Sequence, residues 1–253
     1  MTFVQLEYIV ALDTHRHFAT AAAQCHVTQP TLSMPRSTAP IERELVVALA
    51  DATGDRVGGK ARNLAQLAEL GAAVPPAIVL TDRAARAFLD AADLHQPIAV
   101  LTANLAGKSR TAVKSAAETI AALVVDAALP PDVQSALDRH LAPLMPGPFI
   151  VRSSAIGEDS GAASFAGQLD SIGDVAPGGT LHLAIRRVWA SRWSERALAY
   201  ELARHVTLTG MGVIVQRQIT SQISGVLFTR SPEDDGLMLI EYCRGMGESG
   251  AYV

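Results

Sequence analysis

The tract 149–174 constrains the fold more than any other part of the chain. An apolar triplet, Phe149-Ile150-Val151, is too short for a helix and runs directly into Arg152-Ser153-Ser154-Ala155 and a long stretch of serine, glycine and alanine. Such a pattern predicts a strand starting at 149–151 and a Ser/Gly-rich loop that closes at Asp174, because small residues let a backbone turn and approach a ligand. An arginine set just after a buried strand is held at its base by sheet packing, while its planar guanidinium can take phosphate oxygens bidentately. A lone Arg-Ser-Ser would equally suit a surface turn in which Arg152 pairs with Glu158 or Asp159. Ser164-Phe165-Ala166-Gly167-Gln168 close behind favours a loop built for backbone contact with a ligand.

A second glycine turn, Gly58-Gly59-Lys60, lies between a strand candidate at 45–49 and an amphipathic helix at 61–70 that is expected to turn Leu64, Leu67 and Leu70 inward. Its glycines and the first-turn amides of that helix suit an anion, and Lys60 adds a mobile positive charge. The spacing is not that of the GxxxxGK[ST] phosphate loop. Taken alone, the motif also fits a tight turn carrying a solvated lysine. Further strands are expected at 77–80, 212–216, 225–229 and 237–242, and helices at 82–92, 112–128, 132–141 and, as one long element, 180–205. Helices and strands alternate throughout, so the fold class is mixed α/β.

With 49% hydrophobic and 18% charged residues, the 253-residue chain has the balance of a packed globular protein. A net charge of −4 argues against a general polyanion-binding surface and makes DNA an unfavoured partner. Cys25 and Cys243 stand far apart with no metal-ligand spacing, which points to a reducing cytoplasm and to no metal site. The N-terminus is not patterned as a signal peptide. No apolar run reaches the roughly 20 residues of a membrane span; the nearest, 116–129, is interrupted by Glu118 and Asp126.

Several segments, in order across residues 42–253, resemble the ATP-binding domain shared by phosphoenolpyruvate synthase, pyruvate phosphate dikinase and rifampicin phosphotransferase. They are VGGKARNLAQLAELGAAVPPAIVLT, FIVRSSAIGEDSGAASFAGQLDS, VWASRWSERALAY, VIVQRQI, SGVLFTRSP and the terminal GMGE. The chain departs from the family pattern at Ala61 and Ala77, where glycine is usual, and at Met246, where leucine is usual. The resemblance implies an ATP-grasp-like, two-lobed fold. It implies that Lys60 and Arg152 hold the nucleotide phosphates and serve catalysis, that Gly167 and Ser171 cover the phosphates, that Gln216 lies at the adenine pocket, and that Glu248 contacts ribose. Trp189, Trp193, Arg196 and Tyr200 recur at helical spacing and are expected to be scaffold.

The resemblance further implies ATP and Mg2+ as cofactors and a reaction that phosphorylates a histidine on a swivelling domain and then pyruvate, with rifampicin the alternative acceptor. The family's metal carboxylates, phosphohistidine and acceptor domains are expected downstream of Val253, so 42–253 is expected to be incomplete at its C-terminus and weak as a catalyst alone. None of the seven histidines matches the acceptor context, and all are expected to be structural or solvated. Residues 1–34 resemble the start of a LysR-type helix-turn-helix through LEYIVALDTHRHFATAAAQCHVTQPTLS, with Pro35 interrupting the recognition helix and a linker at 35–41. Rival readings are a DNA-binding regulator with an ATP-sensing domain and a nonfunctional fragment.

Overall fold

A computed structural model of the chain describes residues 44–157, 168–229 and 236–245. The helix-turn-helix-like segment 1–34, the linker 35–41 and the site residues Gly167 and Glu248 lie outside them, as do Glu158 and Asp159. The elements run β1 (Val46–Ala48), α1 (Gly59–Glu69), β2 (Ala77–Leu80), α2 (Asp82–Ala91), α3 (His95–Thr102), α4 (Arg110–Asp126) and α5 (Pro131–Leu141). They continue with β3 (Phe149–Ile156), β4 (Ser171–Val175), α6 (Gly179–Ala190), α7 (Glu195–Arg204), β5 (Gly210–Arg217), β6 (Ile223–Phe228) and β7 (Leu239–Arg244). The chain divides into two compact units, and the division falls within α1.

The larger unit holds a five-stranded sheet in the order β1-β2-β5-β3-β4, with every neighbouring pair antiparallel. Its middle strand, GMGVIVQR, is buried almost end to end, which explains why it reads as a continuous apolar run rather than an alternating one. Along β3 and β5, Phe149, Val151, Ala155, Met211, Val213 and Val215 enter the main core. Because side chains alternate across a strand, Ile150, Arg152, Ser154, Gly212, Ile214 and Gln216 lie on the opposite face. Helices α2, α5 and α6 cover the core face, and α4 packs outside them against α6 and α7. Trp189 of α6 stacks on Phe88 of α2 with centroids 5.1 Å apart.

The smaller unit contains the two-stranded antiparallel sheet β6-β7, in which Gly225 faces Tyr242 and Leu227 faces Ile240. Both strands agree with the expectations at 225–229 and 237–242.

Three local expectations are corrected. The stretch 180–205 is not one helix: α6 ends at Ala190, a 3-10 turn follows at Ser191–Trp193, and Ser194 adopts extended backbone and caps α7 through Ala197 N at 3.2 Å. A serine inside an amphipathic repeat is a better cap than interior residue, which is why it breaks the helix here. In α1 the buried side chains are Ala61 and Ala65, whereas Leu67 is exposed and Leu64 and Leu70 are only partly covered. Finally, β3 does not end at Val151 but continues to Ile156, carrying Arg152, Ser153 and Ser154 inside the sheet. Cross-strand bonding to β5 holds these polar residues in register. Helix α3, whose histidine and proline start gave no periodic signal, is an additional element.

Candidate functional site

Arg152 sits near the middle of β3, between Ser171 on β4 and Ile214 on β5. Its side chain leaves the sheet on the face away from the main core, together with Ser154, Gln216 and Ser171. Among the described residues no carboxylate lies within ion-pair distance of it. Burial alone pushes its guanidinium pKa below the ordinary arginine value, although arginine remains charged at any physiological pH. A partly buried guanidinium can take an oxyanion through charge-assisted, bidentate hydrogen bonds, and the arrangement fits one.

The turn carrying Lys60 is packed directly on this strand. Gly58 has φ +77° and passes so close to Ser154 that a Cβ on it would stand 2.1 Å from the Ser154 carbonyl oxygen and 2.6 Å from its Oγ. Ala61 N donates to Ser154 Oγ at 3.0 Å. Upstream, the Val57 carbonyl lies over Gly212 of β5, where an added Cβ would be 2.8 Å away. Thus Gly58 is needed both for its left-handed backbone and for its lack of a side chain. Of the first-turn amides of α1 expected to suit an anion, that of Ala61 is instead committed to Ser154. Lys60, in that same first turn, is partly buried.

Ser171 opens β4 directly across from Arg152. Its neighbour Asp170 is fixed from three sides. The Asp170 carboxylate pairs with Arg196, its N–H donates to Ser191 Oγ at 3.2 Å, and its carbonyl accepts from Ser153 N at 3.3 Å. Arg196, read as scaffold, therefore also anchors the entry to β4. Gln216 is almost fully buried and its Nε2 donates to the Pro75 carbonyl at 3.0 Å. That bond ties its amide nitrogen to the segment just before β2.

The structure thus brings Arg152, Ser171, Gln216 and the turn bearing Lys60 to one sheet face. In the sequence Ser154 stands as part of a Ser/Gly run, and the signal it offers is its spacing two residues from Arg152, which puts both on the same side of a strand. Cavities of about 410 Å³, around Phe88, Trp189, Arg192 and the start of β5 at Gly210, and about 600 Å³, around Leu105, Leu198 and Leu202, include none of the candidate residues. Among the described residues no cluster of His, Cys, Asp and Glu could hold a metal ion, and none of the helices is long and apolar enough to cross a membrane.

Residues 54–251 match the family profile "Pyruvate phosphate dikinase, AMP/ATP-binding domain". Residues 3–58 match "Bacterial regulatory helix-turn-helix protein, lysR family"; within that range, Val46–Ala48 is strand β1 of the five-stranded sheet. The chain is 30% identical to a probable phosphoenolpyruvate synthase of Staphylothermus marinus over 84% of its own length and 27% of the relative. It is 33% identical to a rifampicin phosphotransferase of a Streptomyces species, over 79% and 24%. To the prodigiosin synthesizing transferase PigC of Serratia marcescens it is 32% identical, over 76% and 20%. The chain therefore spans between a fifth and about a quarter of the length of these relatives.

Proposed function

Because the chain belongs to the pyruvate phosphate dikinase AMP/ATP-binding domain family, we propose that the sheet face bearing Arg152 binds ATP, with Arg152 as the main phosphate clamp. The observation that carries this reading is the placement of the partly buried Arg152 directly across from Ser171, on the sheet face against which the Gly58 turn packs. Lys60 adds charge from the packed turn, Ser171 offers a hydroxyl beside Arg152, and Gln216 presents its Oε1 toward the base. Gly167 and Glu248, outside the described residues, are assigned the phosphate cover and the ribose contact by resemblance to the family.

ATP supplies a transferable phosphoryl group; the protein's part is to hold and orient its phosphates. We assign the whole protein the transfer of that group to a histidine of a swivelling domain and then to pyruvate. Phosphoenolpyruvate synthases among the relatives support pyruvate as acceptor. Rifampicin is the second reading, favoured by the rifampicin phosphotransferases that the chain also resembles. The described residues do not form a magnesium site, and we assign the ion no ligand among them. The proposed organisation is a helix-turn-helix-like extension at 1–34, a linker at 35–41 and the nucleotide-binding domain at 42–253, in a cytoplasmic protein.

Calorimetry of the full chain with ATP and with adenosine, each with and without magnesium, tests the assignment. ATP is expected to bind more tightly than adenosine, with little turnover. Equal affinities would remove the phosphate clamp. Salt-dependent capture of duplex DNA without ATP binding would replace this reading with that of a DNA-binding regulator.

A further inference from the structure

We propose that Asp82 is a positioning residue for the Gly58-Gly59-Lys60 turn, clamping the entry of that turn to the sheet; its link to nucleotide rests on the phosphate reading above. Asp82 opens α2, where an acid commonly sits exposed and pairs with the helix dipole. Here the side chain is only 4% exposed, and a buried carboxylate is costly unless its oxygens are filled. They are filled from separate parts of the chain. Oδ1 accepts from Met211 N of β5 at 3.2 Å. Oδ2 accepts from Arg86 Nε at 2.6 Å and lies 3.6 Å from Arg56 Nη1.

The main chain adds a second grip. Asp82 N donates to the Arg56 carbonyl at 2.8 Å, so Asp82 holds Arg56 by backbone and by charge together. From Arg56 the chain passes through Val57, which is fully buried, and then Gly58 against Ser154. The site for the carboxylate is kept open by Gly210, where a Cβ would stand 2.2 Å from Asp82 Oδ1. A network that draws on β5, α2 and the turn, around one buried charge, is more than an acid at a helix start requires. Its effect is to fix where the turn begins, and Lys60 follows a few residues later along the same short segment.

Two variants of the full chain test the proposal by different routes. Asp82→Asn keeps the shape and the acceptor for Met211 N but removes the charge that holds Arg56 and Arg86. Gly210→Ala leaves Asp82 in place chemically and pushes a methyl group onto its Oδ1. Amide hydrogen exchange over 56–61 is read against 113–124 of α4 as an internal control, and ATP and adenosine affinities are measured beside those of Arg152→Lys. Both variants are expected to speed exchange over 56–61 by at least about tenfold with α4 unchanged, and to weaken ATP several-fold while adenosine is unaffected. Unchanged exchange at the turn, or an equal rise across α4, overturns the clamp. A loosened turn with unchanged ATP affinity, where Arg152→Lys does weaken ATP, overturns the link to Lys60 and leaves the phosphate reading standing. If the parent chain binds no ATP, the phosphate reading fails and the exchange result alone supports or overturns the clamp.

Discussion

Gly58 and Ser154 are in backbone contact so close that any side chain on the first would occupy the carbonyl oxygen of the second. Gly58→Ala combines that collision with a left-handed φ of +77° and is expected to cost roughly 2–4 kcal/mol, from overpacking and backbone strain together. Ser154→Ala leaves Ala61 N without its acceptor and is expected to cost about 1–3 kcal/mol. Since the colliding carbonyl remains, the double variant is not rescued. Urea unfolding of the three variants checks both statements; a double variant as stable as Ser154→Ala alone would show that the hydroxyl, not the backbone, sets the limit.

Arg152 separates affinity from stability. Arg152→Lys keeps the charge but loses the bidentate fork, and with charge-assisted bonds worth about 1.5–3 kcal/mol, ATP affinity is expected to fall by at least roughly tenfold with adenosine unchanged. Arg152→Met removes a charge that burial disfavours and is expected to abolish the preference for ATP while raising the melting temperature of the free chain. A lower melting temperature for Arg152→Met would mean that the guanidinium has a stabilising partner in the unliganded protein.

Arg186 of α6 reaches the end of α4, donating through Nη1 to the Val125 carbonyl and, at 2.6 Å, to that of Ala127. Carbonyls in the last turn of a helix lack intrahelical donors. Arg186→Ala is therefore expected to destabilise the larger unit by about 1–3 kcal/mol. The change should appear first as faster amide exchange near Val125, with nucleotide affinity unaltered.

Truncation distinguishes the two readings of the N-terminal boundary. Removing 1–34 is expected to leave thermal unfolding and ATP binding nearly unchanged, because Pro35 and Pro40 mark a linker in the sequence. Removing 1–58, the full span matched to the helix-turn-helix profile, deletes β1 with its buried Val46 and Val47 and also deletes Gly58. That form is expected not to fold. A loss of many degrees on the shorter deletion would place the boundary elsewhere.

Elements marked by a continuous apolar run or by a helix-start signal were legible in the sequence. The strands at 77–80 and 212–216 are continuous apolar runs, and α5 begins at Pro131 as a first-turn proline should. The family motifs likewise supplied Arg152, Ser171 and Gln216, which share one face. What stayed hidden were contacts made at long range. The buried side chains of α1 are Ala61 and Ala65 rather than its leucines, and the Ala61 amide is bonded to Ser154, far along the chain. Asp82 reads as an ordinary first-turn acid until β5 and the Arg56 carbonyl close around it. Periodicity reports which side of an element is apolar; it does not report how near the next element comes.

The stacking of Trp189 on Phe88 has an optical consequence. The chain contains only one other tryptophan, Trp193, and it too packs against the helical core, with the Arg192 guanidinium 5.3 Å from its ring centroid. Both indoles lie in the helical layer, while Arg152, Ser171 and Gln216 face the other side of the sheet. Intrinsic emission will therefore follow the melting of that layer and stay nearly silent to occupancy of the opposite face, so a fluorescent nucleotide, rather than the protein's own light, is the natural gauge of a filled site.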